Sequence, residues 1–367
     1  MNASPTSAKP LWLVLLAASI VVGMAMGLRQ VMGLYLRPLT MDLGLGREPF
    51  SNAMALSNLI NGAGAILAGA IADKYGAGRV VSGGALFTIA GLLTMWSATT
   101  ALGLAVSGLL LGIGITGTGI NALVGVVGRA APADKRTAAI ASIGMASGIG
   151  GFLAFPYAHA WMELFGWKTS LLILAATAAV IVPLALPLAG RPTPVAGAAK
   201  AQTLREAFSE AFAHPSFWLL TAGFFVCGFH VSFYSVHLPA YVQDQGLDPW
   251  VGVWALMAVG IANIVGTWVA GQSGKFVQKR VALAVLYMCR SALFLCILYF
   301  PATPATVIVI SALLGLFWLS TIPLTSGMVA TFFGTGWMSM LFGFVFFSHQ
   351  VGSFLGLWTA GRLFDLT

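Results

Sequence analysis

Long apolar runs, separated by polar stretches too short to fold alone, recur from Leu11 to Ala360. About 20 consecutive apolar residues is what an α-helix needs to cross the hydrocarbon core of a bilayer. Such runs fall at 11–35, 51–72, 80–99, 101–127, 137–159, 169–189, 216–240, 250–271, 281–300, 304–330 and 338–360, which predicts eleven spans. They lack the ten-residue alternation of a membrane β-barrel. The first run is too long for the apolar region of a signal peptide and is expected to be retained. Composition agrees: of 367 residues, 59% are hydrophobic and 8% charged, against about 45–50% and about 25% in a soluble domain. A soluble globule, a disordered chain, a collagen-like fibre and a disulfide scaffold are excluded. The fold class is an all-α polytopic membrane protein. The net charge of +8 comes from scattered residues and not from a basic stripe, so no nucleic-acid partner is expected. Cys227, Cys289 and Cys296 all lie within spans and are odd in number, so no disulfide is expected.

Basic residues set the orientation, because cytoplasmic loops are enriched in Lys and Arg. With the N-terminus inside, Lys9, Lys74, Arg79, Arg129, Lys135, Arg136, Arg191, Lys200, Arg205, Lys275, Lys279 and Arg280 are cytoplasmic. Arg37, Arg47, Lys168 and Arg362 are then outside, and Arg29 and Arg290 lie within spans. The expectation is a multi-pass protein of a bacterial inner (plasma) membrane, its N-terminus cytoplasmic, monomeric in the lipid bilayer.

The spans fall into two sets that repeat at an offset of 202 residues. Asp42, Gly44 and Leu45 recur as Asp244, Gly246 and Leu247; Asn61, Gly64 and Gly69 as Asn263, Gly266 and Gly271. Gly150, Phe152, Leu153 and Ala158 recur as Gly352, Phe354, Leu355 and Ala360, and Glu163 is answered by Asp365. Parallel repeats of this kind are a transporter architecture, with the substrate held between them near the midplane. The expected organisation is an N-terminal six-helix half at 1–190, a cytoplasmic central loop at 191–215, and a C-terminal half at 216–367 with five helices. By the repeat, span six should recur at 371–391, beyond Thr367, so the plan reads as six plus six with the twelfth helix missing. Within the central loop, Leu204, Phe208 and Phe212 form an apolar stripe on a polar helix. That helix either lies on the membrane surface or is a solvated linker.

Spans two and three are joined by Gly69-Ala-Ile-Ala-Asp73-Lys-Tyr-Gly76-Ala-Gly-Arg79. So tight a connection needs glycine at the turn, and Asp73 can cap the next helix or pair with a cation. The segment resembles the G-x-x-x-D-x-x-G-x-R loop signature of the major facilitator superfamily of secondary transporters. The six-plus-five spans, the long centre and Arg129…Pro132-Ala-Asp-Lys135-Arg136 extend the resemblance along the chain. It implies that Gly69, Asp73, Gly76 and Arg79 act in gating. The second half departs from the signature, with Lys275 following Gly271-Gln-Ser-Gly274, which confines a carboxylate gate to one side.

No Asp or Glu falls in mid-span, which leaves a carboxylate proton relay without candidates. The buried ionisable groups are instead Arg29, Arg290, His230 and His349, a set that would attract an anion. With Asn121 and Gln350 these form the candidate substrate site. Each has a plainer reading: Arg29 snorkels to the interface, Arg290 bonds helix-end carbonyls, and the histidines and Asn58, Asn61, Asn121 and Asn263 bridge helices. The pairs Gly23/Gly27, Gly108/Gly112, Gly144/Gly148 and Gly352/Gly356 suit close helix packing. Pro156 and Pro323 predict kinks.

The stretch Phe342-Gly-Phe-Val-Phe-Phe-Ser-His349 is similar to the eleventh helix of the monocarboxylate and oxalate–formate exchanger branch, with His349 where a basic residue is implied to meet a carboxylate. That branch's arginine on the eighth helix is absent here. The function expected is secondary active transport of a small organic anion by alternating access, with no cofactor, no metal and no enzymatic activity. Two alternatives are a non-transporting or inactive fragment of such a transporter, and an intramembrane serine protease built on Gly271-Gln-Ser273-Gly274 with His349 as base.

Overall fold

The computed structural model describes residues 10–132, 136–189, 204–273, 276–333 and 338–366, so part of the central loop lies outside the described residues. Among these the chain is helical and contains no strand. The helices are α1 Leu11–Gln30, α2 Met32–Leu43, α3 Arg47–Tyr75, α4 Ala77–Ser97, α5 Ala101–Thr118, α6 Ile120–Ala130, α7 Arg136–Ala179 and α8 Ile181–Leu184. They continue as α9 Leu204–Ala213, α10 Pro215–Asp244, α11 Pro249–Ser273, α12 Lys279–Tyr299, α13 Pro304–Leu316, α14 Thr321–Phe333 and α15 Met338–Leu366.

Nine stretches among the described residues are long and apolar enough to cross a membrane. One of them, Ser142–Leu184, is two spans joined at Gly166, whose φ of 77° breaks the helix. The 29 residues of α3 are long enough for a further crossing, and the eleven spans of the sequence are thereby accounted for. Spans one, four and ten are each built from two helices: α1 with α2, α5 with α6, and α13 with α14. The non-helical backbone inside α7 falls at Gly166 and not at Pro156. Pro323 lies in the first turn of α14, where a missing N–H does no harm.

The same pairs of helices pack in each repeat. Spans one and five touch (α1 on α7), as do seven and eleven (α10 on α15); spans two and four touch (α3 on α5), as do eight and ten (α11 on α13). Small residues permit the approach: Gly150 sits on the backbone of Gly23, and at the positions 202 further on Gly352 sits on the backbone of Phe225. Between repeats, α3 packs on α15, α7 on α11, and α2 on α10.

These contacts are not evenly distributed along the membrane normal. At the end bearing Asp244, one continuous apolar core takes in both repeats, from Leu28, Tyr35 and Phe50 to Tyr234, Leu238 and Leu357. Toward the end bearing Asp73 the core divides. One part, around Val14, Val81, Leu123 and Ile181, belongs to the first repeat. The other, around Phe217, Phe224, Leu286 and Val345, belongs to the second. The helices α7 and α11 meet where Gly260 lies against Phe152 and then diverge. A Cβ at Gly148 would reach only Ile264, at 4.0 Å, and one at Gly144 or Gly271 would meet nothing within 4 Å among the described residues. Among the described residues, the two repeats are closed on each other at the Asp244 end and parted at the Asp73 end.

The stripe on α9 finds protein. Phe208 and Phe212 pack against Phe344, 6.4 and 5.0 Å between ring centroids, and Ala211 is fully buried.

Candidate functional site

Where the two repeats face each other, Arg29 in the last turn of α1 extends its guanidinium to α3 and donates to Asn58 Oδ1 at 2.7 Å. Asn58 in turn lies 3.5 Å from Ser232 Oγ on α10. One helical turn along α3, Gly62 leaves room for the side chain of Gln350 on α15. Gln350 is fully buried, and neither its amide nitrogen nor its oxygen has a partner among the described residues. Four helices, two from each repeat, therefore bring a cation, two amides and a hydroxyl to one layer. No carboxylate stands within ion-pair distance of Arg29 among the described residues. A guanidinium carries five N–H donors in a planar fork, and the bond to Asn58 uses one. A buried amide with both ends unbonded is costly unless a ligand or water completes it. The layer is chemically suited to a small anion that also bears a hydrogen-bonding group.

The remaining candidates are placed elsewhere. Arg290 lies inside the second repeat, fully buried, donating to the carbonyls of Phe317 and Trp318 and to Cys227 Sγ at 3.1 Å. Those carbonyls are released by the break between α13 and α14, so the guanidinium closes a helix end and does not face the other repeat. This is the plainer of its two sequence readings. From the opposite side, Asn263 Oδ1 accepts the N–H of Leu319 at 2.9 Å, so it bridges helices. The ring of His349 packs between Phe224 and Phe346, 5.0 and 5.8 Å between centroids, and reaches Cys227 inside the repeat. His230 rests on Phe294, 4.7 Å away, with its Nδ1 unbonded. The side chains of Asn121 and Asp73 lie outside the described residues. In the gate loop, Gly76 has φ 94° and ψ 135°, a conformation that favours glycine, and it ends α3 by donating to Ala72 O at 2.9 Å. Arg79 is exposed, and Gly69 lies within α3. Ser273 donates to its own helix at Ala270 O, 2.8 Å, and no contact joins it to His349 among the described residues.

Comparison with known proteins decides the family. The Major Facilitator Superfamily profile matches residues 11–357. The chain belongs to the major facilitator superfamily. A relative in Bacillus subtilis, the uncharacterised MFS-type transporter YcxA, is 25% identical over 99% of this chain and 90% of its own length. Mouse monocarboxylate transporter 11 is 30% identical over 71% of this chain and 59% of its own length. Bovine monocarboxylate transporter 13 is 24% identical over 97% and 83%. Among solved structures, a bacterial homologue of the human lysosomal transporter Spinster, in an inward-facing and unoccupied conformation, superposes with a TM-score of 0.75 at 16% identity, covering 98% of this chain and 83% of its own. The nucleoside transporter NupG gives 0.74 at 14% identity, over 95% and 90%. These last two show the fold. As a major facilitator the chain is a multi-pass membrane transporter of a small molecule, not an enzyme, and it works by alternating access between two closures.

The closed end of this facilitator holds polar residues that the sequence reading used only for orientation, in the case of the cations, or for the repeat, in the case of Asp42, Asp244 and Glu163. Arg47 pairs with Asp244, whose carboxylate also lies 3.6 Å from Arg37; Arg37 donates to Gln243 at 3.0 Å. Lys168 pairs with Asp42 at 3.0 Å, and Trp250 Nε1 donates to Glu163 at 3.0 Å. The signal was present in the repeat, which aligns Asp42 with Asp244 and Glu163 with Asp365. Ser232 carried no signal of its own.

Proposed function

We propose that the chain is a secondary transporter of a small, monocarboxylate-like organic anion, held at the midplane by Arg29 with Asn58, Ser232 and Gln350 around it. The observation that carries this reading is a half-buried arginine at the meeting of the repeats with no acidic partner among the described residues. The monocarboxylate transporters among the relatives support it. Arg290 is assigned to the second repeat's own architecture, and His230 and His349 to its interior. The division into halves at 1–190 and 216–367, a cytoplasmic N-terminus, a bacterial plasma membrane and a monomeric state belong to the same proposal. In that orientation the parted Asp73 end faces the cytoplasm.

Uptake of a labelled carboxylate panel into proteoliposomes tests the reading. Replacing Arg29 by Gln keeps a hydrogen-bond donor and removes the charge; uptake at sub-saturating substrate is expected to fall about tenfold or more, since a charge-assisted bidentate contact is lost. Gln350→Leu should weaken discrimination among hydroxylated and plain carboxylates. Transport of a carboxylate that Arg29→Gln leaves untouched would overturn the site, and transport of neutral or cationic solutes alone would overturn the substrate class.

A further inference from the structure

The first turn of α3 has no cap of its own. Its N-cap residue is Gly46, which offers no side chain to the free N–H groups that begin every helix. The other repeat supplies the acceptor. Asp365, one residue before the end of α15, accepts the backbone N–H of Arg47 through one carboxylate oxygen and that of Glu48 through the other, both at 2.7 Å. A Cβ at position 46 would occupy the place of this carboxylate, so the two helix ends fit only with glycine there. The Arg47 guanidinium lies over the ring of Phe364, 3.6 Å from its centroid, and reaches on to Asp244 of α10. Two carboxylates of the second repeat thus hold the start of α3, one by its backbone and one by its side chain.

The 202-residue repeat maps this contact onto another. Asp365 corresponds to Glu163 and Glu48 to Trp250, and in the structure Glu163 accepts from Trp250 across the other seam, between α7 and α11. That bond is made to the indole N–H at 3.0 Å, because the Trp250 backbone N–H is already taken by Asp248 at 2.8 Å. The same positions therefore join the halves on both sides of the pseudo-two-fold axis. One is a doubled bond from a carboxylate to a positive helix end, and the other a single bond to a side chain.

We propose that the Asp365 carboxylate is the principal latch of the Asp244 end, that Glu163 on Trp250 is its weaker counterpart, and that both must release for that end to open. Asp365 is a positioning residue. It touches no substrate, but it fixes α3, the helix that brings Asn58 and Gly62 to the candidate site. The inference needs a transporter with two closures and is independent of which solute is carried.

The test is a distance measurement without substrate. Nitroxide labels are placed on Thr99→Cys and Thr303→Cys, two exposed loop positions at the Asp244 end on opposite repeats, in a background carrying Cys289→Ala and Cys296→Ala. Pulsed electron resonance on the full chain in lipid nanodiscs then reads the closed and separated populations. Asp365→Asn, which puts an N–H where Arg47 or Glu48 needs an acceptor, should raise the ratio of separated to closed about tenfold, the effect of losing a strong helix cap. Trp250→Phe should raise it about two- to threefold, and Asp365→Glu should restore most of the parent distribution. Parent-like distances in both Asp365→Asn and Asp365→Ala would overturn the latch, as would an Asp365→Glu variant that behaves like the amide. Should the Asp365 variants fail to fold, the absence of any shift in both Trp250→Phe and Asp244→Asn overturns it equally.

Discussion

Spans four and ten are partners in the repeat, and both are broken, at Gly119 in the first and across Phe317 to Ser320 in the second. The two breaks differ in what surrounds them. In the first repeat the chain comes so near span three that Gly84 lies against the backbone of Gly114 and Gly117, leaving no space for a side chain. In the second, the position equivalent to Thr88 is Arg290, whose long side chain crosses from α12 to close the freed carbonyls of Phe317 and Trp318. Irregular backbone at membrane depth must be satisfied from within the protein. The first break is met within its own span, Thr118 donating to Gly114 O at 2.9 Å and the Gly119 N–H to Ile115 O at 2.8 Å, the second by inserting a cation.

Substitutions on either side of this comparison should separate in size. Arg290→Leu removes the donor shared by two buried carbonyls and a thiol and should destabilise the protein by on the order of 3 kcal/mol, read as the largest fall in thermal-unfolding midpoint in detergent. Gly84→Ala forces a Cβ to within 2.8 Å of the Gly114 carbonyl oxygen and should cost about 1–3 kcal/mol by overpacking, with no loss of a polar contact. Asn263→Ala removes the acceptor for Leu319 N–H and should cost about 1–2 kcal/mol. Thr88→Ala, the counterpart of the arginine change, removes only a bond to the Gly84 carbonyl of its own helix at 3.0 Å and should cost less than about 1 kcal/mol. Equal midpoints for Arg290→Leu and Thr88→Ala would erase the distinction between the halves.

How far the sequence foretold all this depends on the kind of interaction. Spans were legible because lipid demands long apolar runs, and the turn at Gly76 because a tight connection demands positive φ. Boundaries were less so: α3 extends back to Arg47 because its polar first turn is held by another helix, which apolar counting cannot see. The break at Phe317-Trp-Leu-Ser320 contains neither glycine nor proline, and Arg290 answers to backbone carbonyls that no motif names. Its charge was visible and helix-end carbonyls were one of its two readings; which carbonyls they are was not. Arg29 gained meaning only when Asn58, 29 positions away, and Ser232, a further 174 away, were brought beside it. The acids at the ends of spans were read as leaving the membrane interior free of carboxylates, yet the repeat that aligns Glu163 with Asp365 already held the symmetry of the seam.

The ion pairs at the closed end differ in their exposure to the surrounding medium. Lys168 and Asp42, both within the first repeat, have side chains 53% and 46% exposed, whereas Arg47 and Asp244, which join the repeats, are 11% and 29% exposed. Mobile ions screen charges in open water far more than charges shielded by protein. Raising ionic strength on that face should therefore loosen the pair that decorates one half and largely spare the pair that binds the two together. The pair that joins the repeats is thus the less salt-sensitive of the two.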